Sequence, residues 1–287
     1  MNVNALQTFL VVVECGSIAQ ASRLLDLPPT TIAQQMKALH SDIGTPLLAR
    51  AGRTLQPTMA GTRILEHARS LVKAARDLRS AASSSDLPAG PLLLGATHSA
   101  LSGLLPPVLK RWSQQHPEIK VFIEPGDSLP LISKVASHAL DAAMLVHPGF
   151  ALPKSCDWIT LREEPLILLT PADMPVNDPL QVLASAPYIR FDRRVVGGKL
   201  ADEYLRAHDI RPHAQFELDG VEEIAKFVSE GLGVALLPDW ATVGMPDASV
   251  RRWPLPAPRL CRHVGLLWNR TSARLGLVQA LQQLLKA

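Results

Sequence analysis

The feature that most constrains this 287-residue chain is the spacing of apolar residues across its first 44 positions. Leu6, Phe9, Leu10 and Val13 recur at i, i+3, i+4 and i+7, the signature of one helical face, and Gly16 ends the run. Ser17 can cap a second helix, with Ile18, Ala21, Leu24 and Leu25 facing inward. Leu27-Pro28-Pro29 makes a turn. A proline at a first helical position gives up no hydrogen bond, so a third helix begins there, burying Ile32, Met36, Leu39 and Ile43. Thr30, Thr31, Gln34, Gln35 and Lys37 are left on its open side. The small Ala21 suits a close crossing of the second and third helices. Helix, tight turn and helix at this spacing is an arrangement that places the last helix in the major groove of DNA. A plain three-helix bundle fits the same spacing.

Charge separates those readings only in part. The net charge is +3, and all of the excess lies early: residues 1–86 carry nine Lys/Arg against six Asp/Glu, residues 87–287 twenty of each. Between Leu47 and Ala81 there are seven basic residues against Glu66 and Asp77. Such a bias fits a surface that meets a polyanion, or a solvated helix face.

Leu47 to Thr58 alternates about a Gly52-Arg53 tip, which predicts a hairpin lying as a wing beside the helices, with Arg50 and Arg53 near phosphates or the minor groove. Thr58 can cap the long helix that follows. Its Ile64, Ala68, Leu71, Ala75, Leu78 and Ala82 are spaced 4-3-4-3-4, a heptad seam that predicts pairing with a second copy of the chain. Packing of this helix within its own chain is the alternative. Small, polar and Pro/Gly-rich residues then make a hinge at 85–91. Beyond residue 91, strands expected at 92–96, 119–124, 141–146, 166–170, 187–191, 213–218, 234–237 and 264–268 alternate with helices, an α/β pattern. Since the last strand and helix lie far from the first, the chain crosses between two lobes and returns.

Leu6-Gln7-Thr8-Phe9, Gly16-Ser17-Ile18-Ala19-Gln20-Ala21-Ser22-Arg23-Leu24-Leu25, Ile32 to Leu39, Ile43-Gly44, Leu47 to Arg50 and Thr58 to Gly61 together resemble a LysR-type transcriptional regulator. Gly126-Asp127-Ser128, Leu140 to Met144 and Gly231 to Pro238 are similar to that family's effector domain. Four positions depart from the pattern: Leu48 stands where Phe is usual, Ala33 and Gln34 where Ser and a cation are common, and His40 for a usual Glu.

The resemblance implies an α+β multidomain protein. A winged helix-turn-helix (1–58) and a dimerising linker helix (59–84) would precede the hinge and a two-lobed α/β effector domain (92–287) like periplasmic binding proteins. Lobe I would span about 92–161 and 267–287, lobe II about 162–266. Implied partners are duplex DNA at an inverted-repeat operator, a small-molecule effector, other copies of the chain in a dimer or tetramer, and RNA polymerase as a candidate. Ser17, Pro29, Thr30, Thr31, Gln34, Gln35, Lys37, Arg50 and Arg53 would make the DNA surface. Gln34 or Gln35 would read an A·T pair, because an amide matches adenine's paired donor and acceptor. Thr97, His98, Ser99, Ser128, His147, Arg193, Val196 and Gly197 follow strand ends and would converge on one effector cleft, suited to a small organic anion. Closure of that cleft would change the geometry of the DNA-bound assembly.

Other classes fit less well. There is no GxSxG, GxxxxGK[ST] or HExxH motif and no strand-borne GxGxxG, so an enzyme is not expected. His98 and His147 lack HxH or HxxxH company, and the three cysteines are scattered, so neither metal nor cofactor is expected. No apolar run reaches the roughly 18 residues of a membrane helix, and the first residues do not read as a signal peptide; a cytoplasmic location is the expectation. The remaining alternative is a ligand-independent repressor or nucleoid-type protein whose effector domain is vestigial.

Overall fold

In the computed structural model, α1 (Val3–Cys15) stops where Gly16 takes φ +65°, a conformation that favours glycine, and donates its N–H to Val12 O at 2.9 Å. The Ser17 hydroxyl then accepts from Gln20 N–H at 3.5 Å and caps α2 (Ile18–Leu25). Pro29 opens α3 (Pro29–Ile43), as its missing N–H permits. The structure describes residues 2–52, 54–81, 90–240 and 248–286, and the chain divides into two units, Met1–Ala89 and Gly90–Ala287. Arg53, Ala82 and residues 85–89 of the expected hinge lie outside the described residues.

The core of the first unit is Ala5, Leu6, Phe9, Val12, Ala21, Ile32, Met36, Leu39 and Leu47, closed by Ala68. Two expected core positions are corrected: Leu24 and Ile43 are exposed. A two-turn α2 has only its Ala21 side covered, and Ile43 lies in the last turn before the Gly44 cap, beyond its neighbours' reach. β1 (Leu48–Ala51) and β2 (Thr54–Pro57) form the hairpin around Gly52, and Leu55 N–H donates to Gly16 O at 2.8 Å, tying it to the α1–α2 turn. The Thr58 hydroxyl accepts from Gly61 N–H at 3.0 Å and donates to Pro46 O at 2.8 Å, fixing the start of α4 (Met59–Ala81). Gly61 has no room for a side chain, since a Cβ would run into the Leu47 carbonyl.

The long helix corrects the expected seam. Ala68 is 2% exposed inside the unit's own core, and Ile64 packs against that core with Leu65 and Val72. A 4-3-4-3 spacing specifies an apolar face but not what covers it. Of the seam, Leu71 (44% exposed) and Leu78 (73%) remain open, with Ala75 half-buried.

The second unit begins with β3 (Leu92–Ala96), a π-helical stretch (Ala100–Leu104) and α5 (Leu105–Gln115). Pro106 and Pro107, in the first turn of α5, donate nothing to the preceding carbonyls, which favours the wider turn before them. β4 (Val121–Pro125), α6 (Ser128–Ala136) and β5 (Ala142–Val146) follow, then β6 (Cys156–Pro171), α7 (Pro179–Ser185), β7 (Tyr188–Phe191) and α8 (Val196–Ala207). β8 (Ala214–Leu218), α9 (Val221–Ser229), β9 (Ala235–Pro238), β10 (Val250–Pro254), β11 (Cys261–Asn269) and α10 (Leu275–Lys286) complete it.

The sheet runs β10-β6-β11-β5-β3-β4, with β9 also on β6. β3 lies parallel to β4 and β5, while β11 is antiparallel to both β5 and β6. β6 is far longer than the five residues the sequence suggested. Its first ten residues pair with β11 and its last six with β9 and β10, so it passes from one lobe to the other. Leu131, Val135, Leu140, Ala143, Leu145 and Leu267 fill lobe I. The two faces of the lobe II sheet are covered by α9, through Ile224 and Val228, and by α8, through Ala201, Tyr204 and Leu205.

Candidate functional site

α3 presents a usable face because its other side is fixed. Ile32, Met36 and Leu39 anchor it, leaving Thr30, Gln34 and Lys37 exposed at i, i+4 and i+7, one continuous stripe. Pro29 is exposed at its start and Thr31 half-buried. Gln35 is placed differently from the expectation. It is half-buried, and its Oε1 accepts from the hydroxyl of Thr8, itself buried in α1, at 2.5 Å. The amide is thereby drawn back into the head, which leaves Gln34 as the outward-facing one. Ser17 is half-buried, its hydroxyl spent on the cap of α2, and Arg50 is exposed on β1.

In the second unit a cavity of about 760 Å³ lies between the lobes. Thr97, His98, Ser99, Ser128, Val196 and Gly197 line it, so six of the eight residues expected there are brought together. The Ser128 hydroxyl accepts from Val146 N–H at 3.2 Å, tying the start of α6 to the end of β5. Gly197 is held bare by the Phe191 ring and Pro238, which a side chain would strike.

His147 and Arg193, expected at the same site, are not among the residues that line the cavity. The His147 ring stacks edge-on against Trp158, centroids 5.2 Å apart, and its Nδ1 accepts from Gly149 N–H at 3.1 Å. Burial, and then the neighbouring His263, lower its pKa from the ordinary imidazole value. Arg193 is exposed and lies on a neighbouring hollow with Glu217. Of these two neighbours, Arg194 is the one that lines the cleft. Its Nε lies 2.8 Å and its Nη2 2.5 Å from Asp192 Oδ2, and its backbone N–H donates to Asp192 Oδ1 at 2.7 Å. These bonds hold the Asp192 carboxyl below the usual carboxylate range.

Sequence reasoning also missed Arg262, which lines the cleft while donating from Nε to Glu164 Oε2 at 2.6 Å. A signal was present: Arg262 is in phase with Val264 and Leu266, both buried on the same face of β11. Lys199, Asp127, Asp219, Glu222 and Glu223 complete the charged lining. Among the described residues no group of three or more His, Cys, Asp or Glu could hold a metal ion, and no helix is long and apolar enough to cross a membrane.

Comparison with known proteins accounts for both units. Residues 3–62 match the family model described as "Bacterial regulatory helix-turn-helix protein, lysR family", and residues 85–287 that of the "LysR substrate binding domain". The chain belongs to the LysR family. It is 28% identical over 258 residues to the HTH-type transcriptional activator IlvY of Salmonella typhimurium, covering 86% of this chain and 85% of that protein. It is 25% identical over 242 residues to the HTH-type transcriptional regulator GltR of Bacillus subtilis, covering 83% and 80%. Among solved structures, a full-length OxyR variant from Pseudomonas aeruginosa shares the fold at a TM-score of 0.69 and 22% identity, covering 100% of this chain and 95% of that one. CbnR complexed with its target DNA does so at 0.68 and 18%, covering 100% and 99%. This LysR-type chain is therefore a DNA-binding regulator with a two-lobed effector domain.

Proposed function

We propose that this LysR-type protein reads an inverted-repeat operator as a dimer, with half-sites spaced by about one DNA turn, and that a small organic anion in the cleft between its lobes sets its activity. The exposed Thr30–Gln34–Lys37 stripe on α3, bounded by Pro29 and Gly44, carries the reading. Gln34 supplies base readout, and Lys37 and Arg50 supply phosphate contacts with Arg53 as a further candidate. Exposed Leu71 and Leu78 on α4 form the pairing face, dimers associate into the tetramer, and the promoter-bound assembly meets RNA polymerase. The activator and regulator names of the relatives support a role in transcription. We assign reading to residues 1–58, pairing to 59–84, a hinge to 85–91, and sensing to 92–287, with lobe I at about 92–161 and 267–287 and lobe II at about 162–266.

An open cavity of about 760 Å³ is the size of a small-molecule site, which favours a ligand-responsive protein over one whose effector domain is vestigial. The test is Gln34→Ala and Gln35→Ala against a base-substituted operator. Gln34→Ala should lose discrimination at one A·T position by about 1–3 kcal/mol. Gln35→Ala should weaken binding evenly, through lost stability of the head. Even weakening by Gln34→Ala would refute direct readout.

A further inference from the structure

Beside the cleft, two arginines compete for one carboxylate. β6 and β11 run side by side where the chain passes between lobes, and Arg262 stands directly across that ladder from Glu164. Arg262 Nε donates to one oxygen of Glu164 at 2.6 Å, and Arg162 Nε lies 3.5 Å from the other. Two guanidiniums thus share one carboxylate. Arg162 has other outlets: it is partly open to water, and its Nη2 donates to Asp239 O at 2.9 Å. Arg262 is only 5% exposed, and its Nη2 has no hydrogen-bond partner among the described residues. In the wall of the same cavity, Thr97 is 9% exposed and its hydroxyl is likewise unpartnered. Buried donors without acceptors are costly, and a buried cation more so. Both residues line one cavity, and a small shift of either side chain would turn its occluded donor toward an acceptor that arrives with a ligand.

The rim has the opposite sign. Asp127, Asp219, Glu222 and Glu223 are exposed around the cleft, while Arg194 is engaged by Asp192, which leaves Lys199 as the exposed cation opposing them on the lining. A ligand with two or more carboxylates would bring its second charge against this rim. Leu101, Val146, Phe191, Val196 and Val221 give the cavity an apolar wall.

We propose that the cleft takes an amino acid or similar zwitterion with an apolar body, its one carboxylate on Arg262 and Thr97 and its ammonium turned to the acidic rim. The proposal rests on reading the cleft as the effector site. It is tested by thermal unfolding of the full chain with valine, leucine, isoleucine, methionine and phenylalanine, their deaminated acids, their carboxamides, and glutarate and citrate. At least one amino acid should raise the midpoint most, its deaminated acid less, and its carboxamide and the polyanions not at all. Thr97→Val removes only an unpartnered hydroxyl and so should fold normally, and Arg262→Lys keeps the charge without the fork. Each should weaken the best amino acid about tenfold in calorimetry. An effective carboxamide, a polyanion that binds best, silence from all five amino acids, or unchanged affinity in both variants would overturn the proposal. A polyanion that changes promoter affinity through the cleft would overturn the zwitterion alone and leave the effector reading standing. A zwitterion that binds as described without changing promoter affinity would sink the effector reading instead.

Discussion

Replacing Leu71 and Leu78 together by Gln should separate the paired chains while leaving the reading head folded. Burying a leucine side chain completely contributes about 1.5–3 kcal/mol. Scaled by exposures of 44% and 73%, the two offer about 2–3.5 kcal/mol per protomer and about twice that for a symmetric pair. Glutamine keeps a comparable helix propensity, so the loss falls on association. The dimer dissociation constant should rise by at least about a hundredfold, at about 1.4 kcal/mol per factor of ten. Sedimentation velocity across a dilution series reads this directly, with circular dichroism following the unfolding midpoint. Ala68→Gln is the contrasting variant. Its side chain would be forced into the closed core of Phe9, Leu39 and Leu47, where overpacking costs typically about 1–3 kcal/mol before the buried amide is counted. It should lower the midpoint. Dimers of Leu71→Gln/Leu78→Gln that persist at the dilution where the parent dissociates would refute the division of α4 into a covered and an open face. So would an Ala68→Gln variant that dissociates without loss of stability.

Arg50→Ala should weaken binding to all duplexes alike and lower the slope of log affinity against log salt by about one, read in anisotropy titrations; base-dependent weakening would show that Arg50 touches more than phosphate. Gly61→Ala should destabilise the first unit by about 1–3 kcal/mol in urea unfolding, because the new methyl meets the Leu47 carbonyl; an unchanged midpoint would mean α4 is free to shift. The Arg194 bonds that depress the Asp192 carboxyl favour the folded state above the ordinary carboxylate pKa and fade as pH falls through the lower folded value. Asp192→Asn should therefore flatten the acid limb of a stability–pH curve; an unaltered limb would count against that pairing.

The helices of the head were legible because each start and stop is written in single residues: Gly16 at positive φ, Ser17 as a cap, Pro29 without its N–H. Leu24 and Ile43 were misplaced because helical periodicity names a face without saying how far its neighbours extend. The heptad of α4 has the same blindness, since Ala68 matches its own head as well as a second chain. β10 went unseen because Val250-Arg251-Arg252-Trp253-Pro254 is an edge strand, rich in charge and closed by proline. Six cleft residues follow from their places after strand ends. The rest depended on side-chain direction: Arg194, not Arg193, takes the Asp192 carboxylate, and His147 turns onto Trp158. Arg262 is the most instructive, a charge on the buried side of a strand where the pattern asks for a hydrophobe.

The most direct measurement is the affinity of the full-length protein for the intergenic fragment preceding its own gene against a shuffled duplex of equal length, by fluorescence anisotropy near physiological salt, about 0.15 M. A paired head that reads bases should prefer its own fragment by roughly a thousandfold or more. Equal affinity for the two duplexes at that salt, with a slope that accounts for all of the binding, would contradict the account.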